Sequence, residues 1–246
     1  MTPYEIWSLA TAIVAIVISV AVPVGQGLYG RFRKATVKAL LFDGFPLTLC
    51  FNESGSYAEL KLSILSEHAA CIVKTLELTI RGSHTDRVFS HGWTFLKPIH
   101  ANWMSAGFQQ AILSSATYVH PIKIEKDKLE PLYVEFGTDP DEKWVSLMRR
   151  RDEVMKEVNA DDVFNDGLLG NESVSAIVQE ISDVCFWAEG RYEIELRILY
   201  DAKGEKVQRF TFDLGKAEAE VLRQNALGIV THCATIQPVL IPVEAA

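Results

Sequence analysis

The hydrophobic positions of this chain fall into three regimes. From Ile6 to Val24 the chain reads IWSLATAIVAIVISVAVPV, an apolar run broken only by Ser8, Thr11, Ser19 and Pro23. From Leu47 to Phe95, then, after a less regular stretch, from Tyr118 to Phe136, and again after Tyr192, apolar and polar residues alternate with the period of a strand. Between Glu142 and Val184 the apolar positions recur at helical spacing.

The first regime predicts one membrane-spanning helix. Its 19 residues, at about 1.5 Å each, reach roughly 28 Å, close to the ~30 Å hydrocarbon core of a bilayer. Serine and threonine are tolerated there because their hydroxyls bond back to helix carbonyls. Pro23 followed by Gly25, Gly27 and Gly30 ends the helix. Trp7 and Tyr29 sit near the two ends, where amphipathic rings favour the headgroups.

The second regime predicts a set of short strands. Leu47, Leu49 and Phe51 share one parity, as do Leu60, Leu62 and Ile64, and then Ile72, Leu76, Leu78 and Ile80. Turn residues at Asn52–Ser56 and Gly82–Asp86 separate them. Arg87–Phe95, Tyr118–Ile124 and Leu132–Phe136 continue the series, and Tyr192–Tyr200 with Val207–Leu214 reads as a hairpin. The helical regime predicts one helix over Glu142–Val158, capped by Asp139 or Asp141, and a second carried by Val174, Ile177, Val178, Ile181 and Val184, capped by Ser173. A short helix over 215–227 and one or two strands in 228–243 complete the list.

The segment Glu189-Gly190-Arg191-Tyr192-Glu193-Ile194-Glu195-Leu196 resembles the G-x-Y-x-h-x-h start of a late strand in immunoglobulin-like and fibronectin type III-like sandwiches. The resemblance covers about 25 residues; it implies a fold and no activity. The expected fold class is mainly β with helical additions: one transmembrane helix followed by an immunoglobulin-like antiparallel sandwich. The expected organisation is a tail and transmembrane helix in 1–30, a basic connector in 31–46, and a sandwich in 47–246 with a helical insertion at about 141–185. Two separate β units, 45–140 and 185–246, are the competing division.

Charge orients the span. Glu5 is the only charge on its N-terminal flank, whereas Arg31, Arg33, Lys34 and Lys38 follow it. Basic flanks stay in the cytoplasm, so the N-terminus faces out and the domain is cytoplasmic. A cleaved signal peptide needs a positive N-terminal region that is absent here, even though Ser19-Val20-Ala21 resembles a cleavage site. The anchoring residues are therefore Ile6, Trp7, Val24, Arg31, Arg33, Lys34 and Lys38, with the lipid bilayer as the partner of residues 6–24.

The chain carries 24 Lys+Arg against 32 Asp+Glu, a net charge of −8. That excess argues against a nucleic-acid partner, and against broad adhesion of the domain to an anionic leaflet. The four cysteines, Cys50, Cys71, Cys185 and Cys233, form no C-x-x-C pair and suit a reduced, structural role on the cytoplasmic side.

No pattern in the chain specifies catalysis, a cofactor or a metal. The six histidines form no H-E-x-x-H or H-x-H pair. Asp161–Gly167 fails as a calcium loop, because aligning Gly167 with the loop glycine puts Phe164 and Ser173 where oxygen ligands belong. The most distinctive local cluster is Trp144, Met148, Arg149, Arg150 and Arg151, readable as a speculative interaction surface or as a helix packed on the sandwich. The expectation is a non-enzymatic protein-interaction or assembly module at the membrane. The alternatives are an exported, tethered adhesion or envelope-assembly domain, and an enzyme whose site lies in the groove between the helices and the sheets.

Overall fold

A computed structural model describes residues 34–83, 87–97, 117–118, 120–137, 141–158, 170–201, 203–231 and 236–245. It also describes Trp7, Thr11, Ala15, Ile18, Ser19 and Val22, which are helical and exposed, Thr11 Oγ1 donating to Trp7 O (2.8 Å). Ile6, Val24, Arg31 and Arg33 lie outside the described residues. Among the described residues no helix is long and apolar enough to cross a membrane.

The strands are β1 (Thr36–Leu41), β2 (Leu47–Asn52), β3 (Gly55–Glu67), β4 (Cys71–Gly82), β5 (Val88–Lys97), β6 (Thr117–Tyr118), β7 (Ile122–Ile124), β8 (Leu129–Phe136), β9 (Gly190–Tyr200), β10 (Gly204–Leu214), β11 (Val239–Ile241) and β12 (Glu244–Ala245). The helices are α1 (Glu142–Glu157), α2 (Glu172–Val184) and α3 (Lys216–Thr231). The fold is mainly antiparallel β, with one curled sheet in the order β11-β2-β3-β8-β5-β4-β9-β10-β12. In addition β1 pairs with β3, β6 with β5 and β7 with β4.

Alternation produces this arrangement directly. In β3, Leu60, Leu62 and Ile64 are fully buried, while Lys61 and Ser63 between them are partly exposed. Leu76, Leu78 and Ile80 of β4 and Ile194, Leu196 and Ile198 of β9 do the same. These side chains join those of the helices in one continuous core.

Strand β5 turns the sheet. Its first half pairs with β4 (Leu78 opposite His91), and its second half pairs with β8 (Trp93 opposite Phe136). A bulge between Trp93 and Phe95 makes the switch, and Thr94 Oγ1 donates to Glu135 O (3.2 Å) across it. The two layers that alternation anticipates are therefore halves of one sheet. At the start of β9 the Tyr192 hydroxyl donates to Ala188 O (2.7 Å) and accepts from Ala188 N (2.9 Å).

The two edges of the curled sheet meet. β1 lies in line with β2 along β3, because Leu41 faces Leu62 and Leu47 faces Leu60. Opposite β1, Gln208 of β10 stands in for a strand: its amide nitrogen donates to Ala39 O (2.9 Å), and Ala39 N donates to its Oε1 (2.5 Å). The C-terminal segment closes the rest. β11 pairs with β2 and, two residues later, β12 pairs with β10. These contacts cover part of each edge, and an edge so covered is less open to edge-to-edge association.

Several sequence expectations shift here. The supposed connector contains β1, whose Val37 and Ala39 are buried while Thr36, Lys38 and Leu40 face out. The expected strand over Tyr118–Ile124 is two, β6 on β5 and β7 on β4, with Pro121 between them unable to donate a ladder bond. Asn171, one residue before α2, caps it in place of Ser173; its Oδ1 accepts from Ser173 N and Val174 N (3.0 and 3.3 Å). α3 runs on to Thr231, where strands were expected from residue 228, because Ile229 and Val230 pack in the core.

The seam is directly testable. Gln208→Leu leaves Ala39 N–H and C=O without their side-chain partner and should lower unfolding free energy by about 1–3 kcal/mol in denaturant titration. Gln208→Glu keeps the acceptor but loses the donor and should fall between Gln208→Leu and the parent protein.

Candidate interaction cleft

All three helices gather at one end of the curled sheet. α2 runs into β9 at Gly190, β10 runs into α3 at Leu214, and α1 bonds to the β2–β3 turn. Strand β3 runs from this end, at Gly55, to the opposite end at Glu67, where β1 begins opposite it. Its 13 residues, at about 3.3 Å each, separate the two ends by roughly 40 Å.

Between helices and sheet opens a cleft of about 320 Å3, near the lower limit for a ligand site. Its walls come from the β2–β3 turn, the start of β5, the first turns of α1 and the end of α2. The aromatic lining falls into two groups. Phe51 lies 5.9 Å from Trp144, Phe89 lies 5.8 Å from Phe186, and His91 stands edge-on to Phe89 at 4.2 Å. Trp187, fully buried behind them, donates from Nε1 to Cys50 O (2.8 Å) and meets Phe89 at 5.4 Å.

Each wall is held by hydrogen bonds. The Asp141 carboxylate caps α1 by accepting from Trp144 N (2.7 Å), and the Trp144 indole donates to Glu53 O (2.8 Å). Phe186 N donates to Ser56 Oγ (3.0 Å), which fixes the end of α2 to β3. Arg87 donates from Nη1 to Cys185 O (3.2 Å) and from Nη2 to Asp183 O (3.4 Å), a cation at the negative end of a helix. Burial lowers the His91 pKa below the ordinary histidine value. Burial also raises the Cys185 thiol to about 11, which keeps it protonated and inert.

The arginine cluster divides among different tasks. Arg151, with its side chain 11% exposed, donates from Nη1 to Ile229 O (3.1 Å) and to Glu53 (3.3 Å), tying α1 to α3 and to the β2–β3 turn. Arg150 pairs with Glu180 of α2 at 2.6 Å, and Arg149 is exposed. Trp144 is 8% exposed and forms part of the cleft wall, while Met148 is half-buried against the core. Of the charged anchoring residues, Lys34 is exposed and Lys38 pairs with Glu67 at 2.7 Å, holding that carboxyl below the usual range.

A second polar cluster lies on the outward face of β2, β3 and β8. Glu59, 6% exposed, accepts from the Tyr133 hydroxyl, and Thr48, Cys50 and Tyr57 are its neighbours across the strands. Burial, reinforced by nearby Cys50 and the carboxylates Glu59 and Glu135, pushes the Tyr57 hydroxyl far up. Burial and Glu59 do the same to Tyr133. Both phenols stay protonated, and the one from Tyr133 donates to the Glu59 carboxylate. Among the described residues no group of three His, Cys, Asp or Glu side chains is placed to hold a metal. Cys50, Cys71 and Cys185 are buried thiols, and Cys233 and the acidic stretch 161–167 lie outside the described residues.

Sequence reasoning located Trp144 but not the cleft. Phe51 reads as an apolar position of its strand, and no sequence pattern sets Phe89, His91 or Phe186 apart as site residues. No protein-family model matches the chain, and no curated protein or solved structure is significantly similar to it.

The histidine gives a pH prediction. Its folded pKa lies below the unfolded value of about 6.5, so between the two the unfolded chain binds more protons. Its contribution to stability is therefore complete above that unfolded value and is lost as pH falls through the folded one. Replacing His91→Gln should flatten the pH dependence of unfolding free energy in this window. An unchanged slope would place His91 in water.

Proposed function

We propose that this chain is a membrane-anchored, non-enzymatic interaction or assembly module that binds a protein partner in the aromatic cleft. The observation that carries the reading is the polarity of the domain. The cleft opens at one end of β3, and the N-terminal segment enters at the other, where β1 begins. A domain tethered through residues 6–24 would thus present the cleft away from the bilayer. The apolar run, its basic flank and the exposed helical positions Trp7, Ile18 and Val22 support the anchor and a cytoplasmic domain.

Cleft chemistry supports binding over catalysis. The lining mixes apolar side chains with about as many polar ones, among them Ser54, Arg87, Asp141 and Lys143, and such a mixed surface suits recognition of a partner side chain. Val88, 52% exposed on the rim, and Lys143 at the start of α1 extend that surface outward.

In-cell photocrosslinking of the full chain tests this. A benzoylphenylalanine in place of Val88 should give one discrete heterologous adduct, and the same probe in place of Leu240, on the outer strand β11, should give none. Equal labelling at both positions, or purely monomeric protein with no adduct at Val88, contradicts the reading.

A further inference from the structure

At the end of the sheet away from the cleft, three turns and the start of β1 lie side by side. Glu67 faces Thr36, Leu65 faces Leu129, and Val73 faces both Ile122 and Tyr200. The turns bond to neighbouring strands. Asp127 N donates to Ser66 O (2.8 Å), Asp201 N donates to Ile72 O (2.8 Å), and Ile72 N donates to the Asp201 carboxylate (3.0 Å). His68, Asp127 and Asp201 each hold a positive φ (75°, 56° and 49°), one per turn, so this surface is built from tight turns.

Six exposed lysines project from this end: Lys34, Lys74, Lys123, Lys126, Lys128 and Lys203. Beside them Ile72 is 47% and Leu129 54% exposed. Most carboxylates here are engaged. Glu67 pairs with Lys38 at 2.7 Å, Glu125 with Lys128, Asp127 with Lys126 at 3.8 Å, and Glu205 with Arg197 at 2.8 Å. Glu130 remains exposed, whereas Lys34, Lys74, Lys123 and Lys203 make no ion pair among the described residues. The helical end carries both signs, with Glu142, Glu153, Glu172, Asp183 and Glu218 beside Lys143, Arg149, Lys156 and Lys216.

We propose that this lysine-rich turn end is a lipid-contacting face that docks the domain on the anionic leaflet entered by residues 6–24. The proposal rests on the anchor reading above and adds a second, electrostatic contact to it. The tether argues for it: Lys34 lies ten residues beyond Val24, and a chain of that length spans at most about 35 Å. Arg31 and Arg33 lie within that stretch and extend the basic sequence. Complementarity argues for it too, because lysines pair with anionic headgroups while Ile72 and Leu129 meet the acyl boundary. Net acidity does not oppose it. The leaflet field is screened within about 10 Å, so the helical end roughly 40 Å away does not feel it.

Hydrogen exchange on the full chain in nanodiscs tests the face. Discs of phosphatidylcholine alone are compared with discs holding roughly 30% phosphatidylserine. Amides of the β3–β4, β7–β8 and β9–β10 turns should slow by about tenfold only in the anionic discs. The combined variant Lys123→Glu, Lys126→Glu and Lys203→Glu should abolish that slowing while core strand amides keep their protection. Protein that enters both discs with identical turn exchange overturns the face and leaves the anchor standing. Protein that enters neither disc overturns the anchor and the face together.

Discussion

The structure depends on the joining of its two sheet edges. A sheet this curled would otherwise present β1 and β2 on one side and β10 on the other as open ladders. Two short elements cover part of each edge. Gln208 supplies one donor and one acceptor to Ala39, the two bonds a neighbouring backbone would have made. Beyond it, β11 and β12 are separated by two residues and pair with opposite edges, so the C-terminal segment crosses the seam as a strap. Closure buries Val37 and Ala39 of β1 together with Val239 and Ile241 of β11, which links the start of the domain to its end.

Closure also gives the domain two unlike ends. Antiparallel strands bring β3, β8 and β9 each from one end to the other, and every helix lies at the end where β3 begins. There the helices stand off from the sheet enough to leave an aromatic cleft whose backbone groups are capped by Asp141, Ser56 and Arg87. The other end has only tight turns and lysines. The start of β1 lies at that second end, opposite Glu67 of β3.

Much of the fold was legible in the sequence because alternation reports burial. The positions of β2, β3, β4, β8, β9 and β10 followed from runs such as Leu60-x-Leu62-x-Ile64, and α1 and α2 from helical spacing. Closure was not legible. Gln208 reads as an ordinary polar residue in a strand, and its role exists only because β1 arrives opposite it from 169 residues away in the chain. β1 itself was hidden by Lys38, which read as part of a basic flank. The cleft was missed for a related reason: no sequence pattern sets its phenylalanines apart, and only the gap between α1, α2 and β5 shows that Phe51, Phe89 and Phe186 line it. The arginines mislead in the opposite direction, since Arg151 looks like a surface cation and is a tie between α1 and α3.

Native-state hydrogen exchange at the seam tests closure most directly. If the Gln208 clamp and the C-terminal strap complete one cooperative sheet, the Ala39 amide and those of β11 and β12 exchange only with global unfolding. Their opening free energy then equals that of Leu78 and Leu196 in the central strands. Exchange of Ala39 or of the C-terminal strands through a separate opening several kcal/mol smaller would contradict the account, because the sheet would then be an open curl with frayed edges.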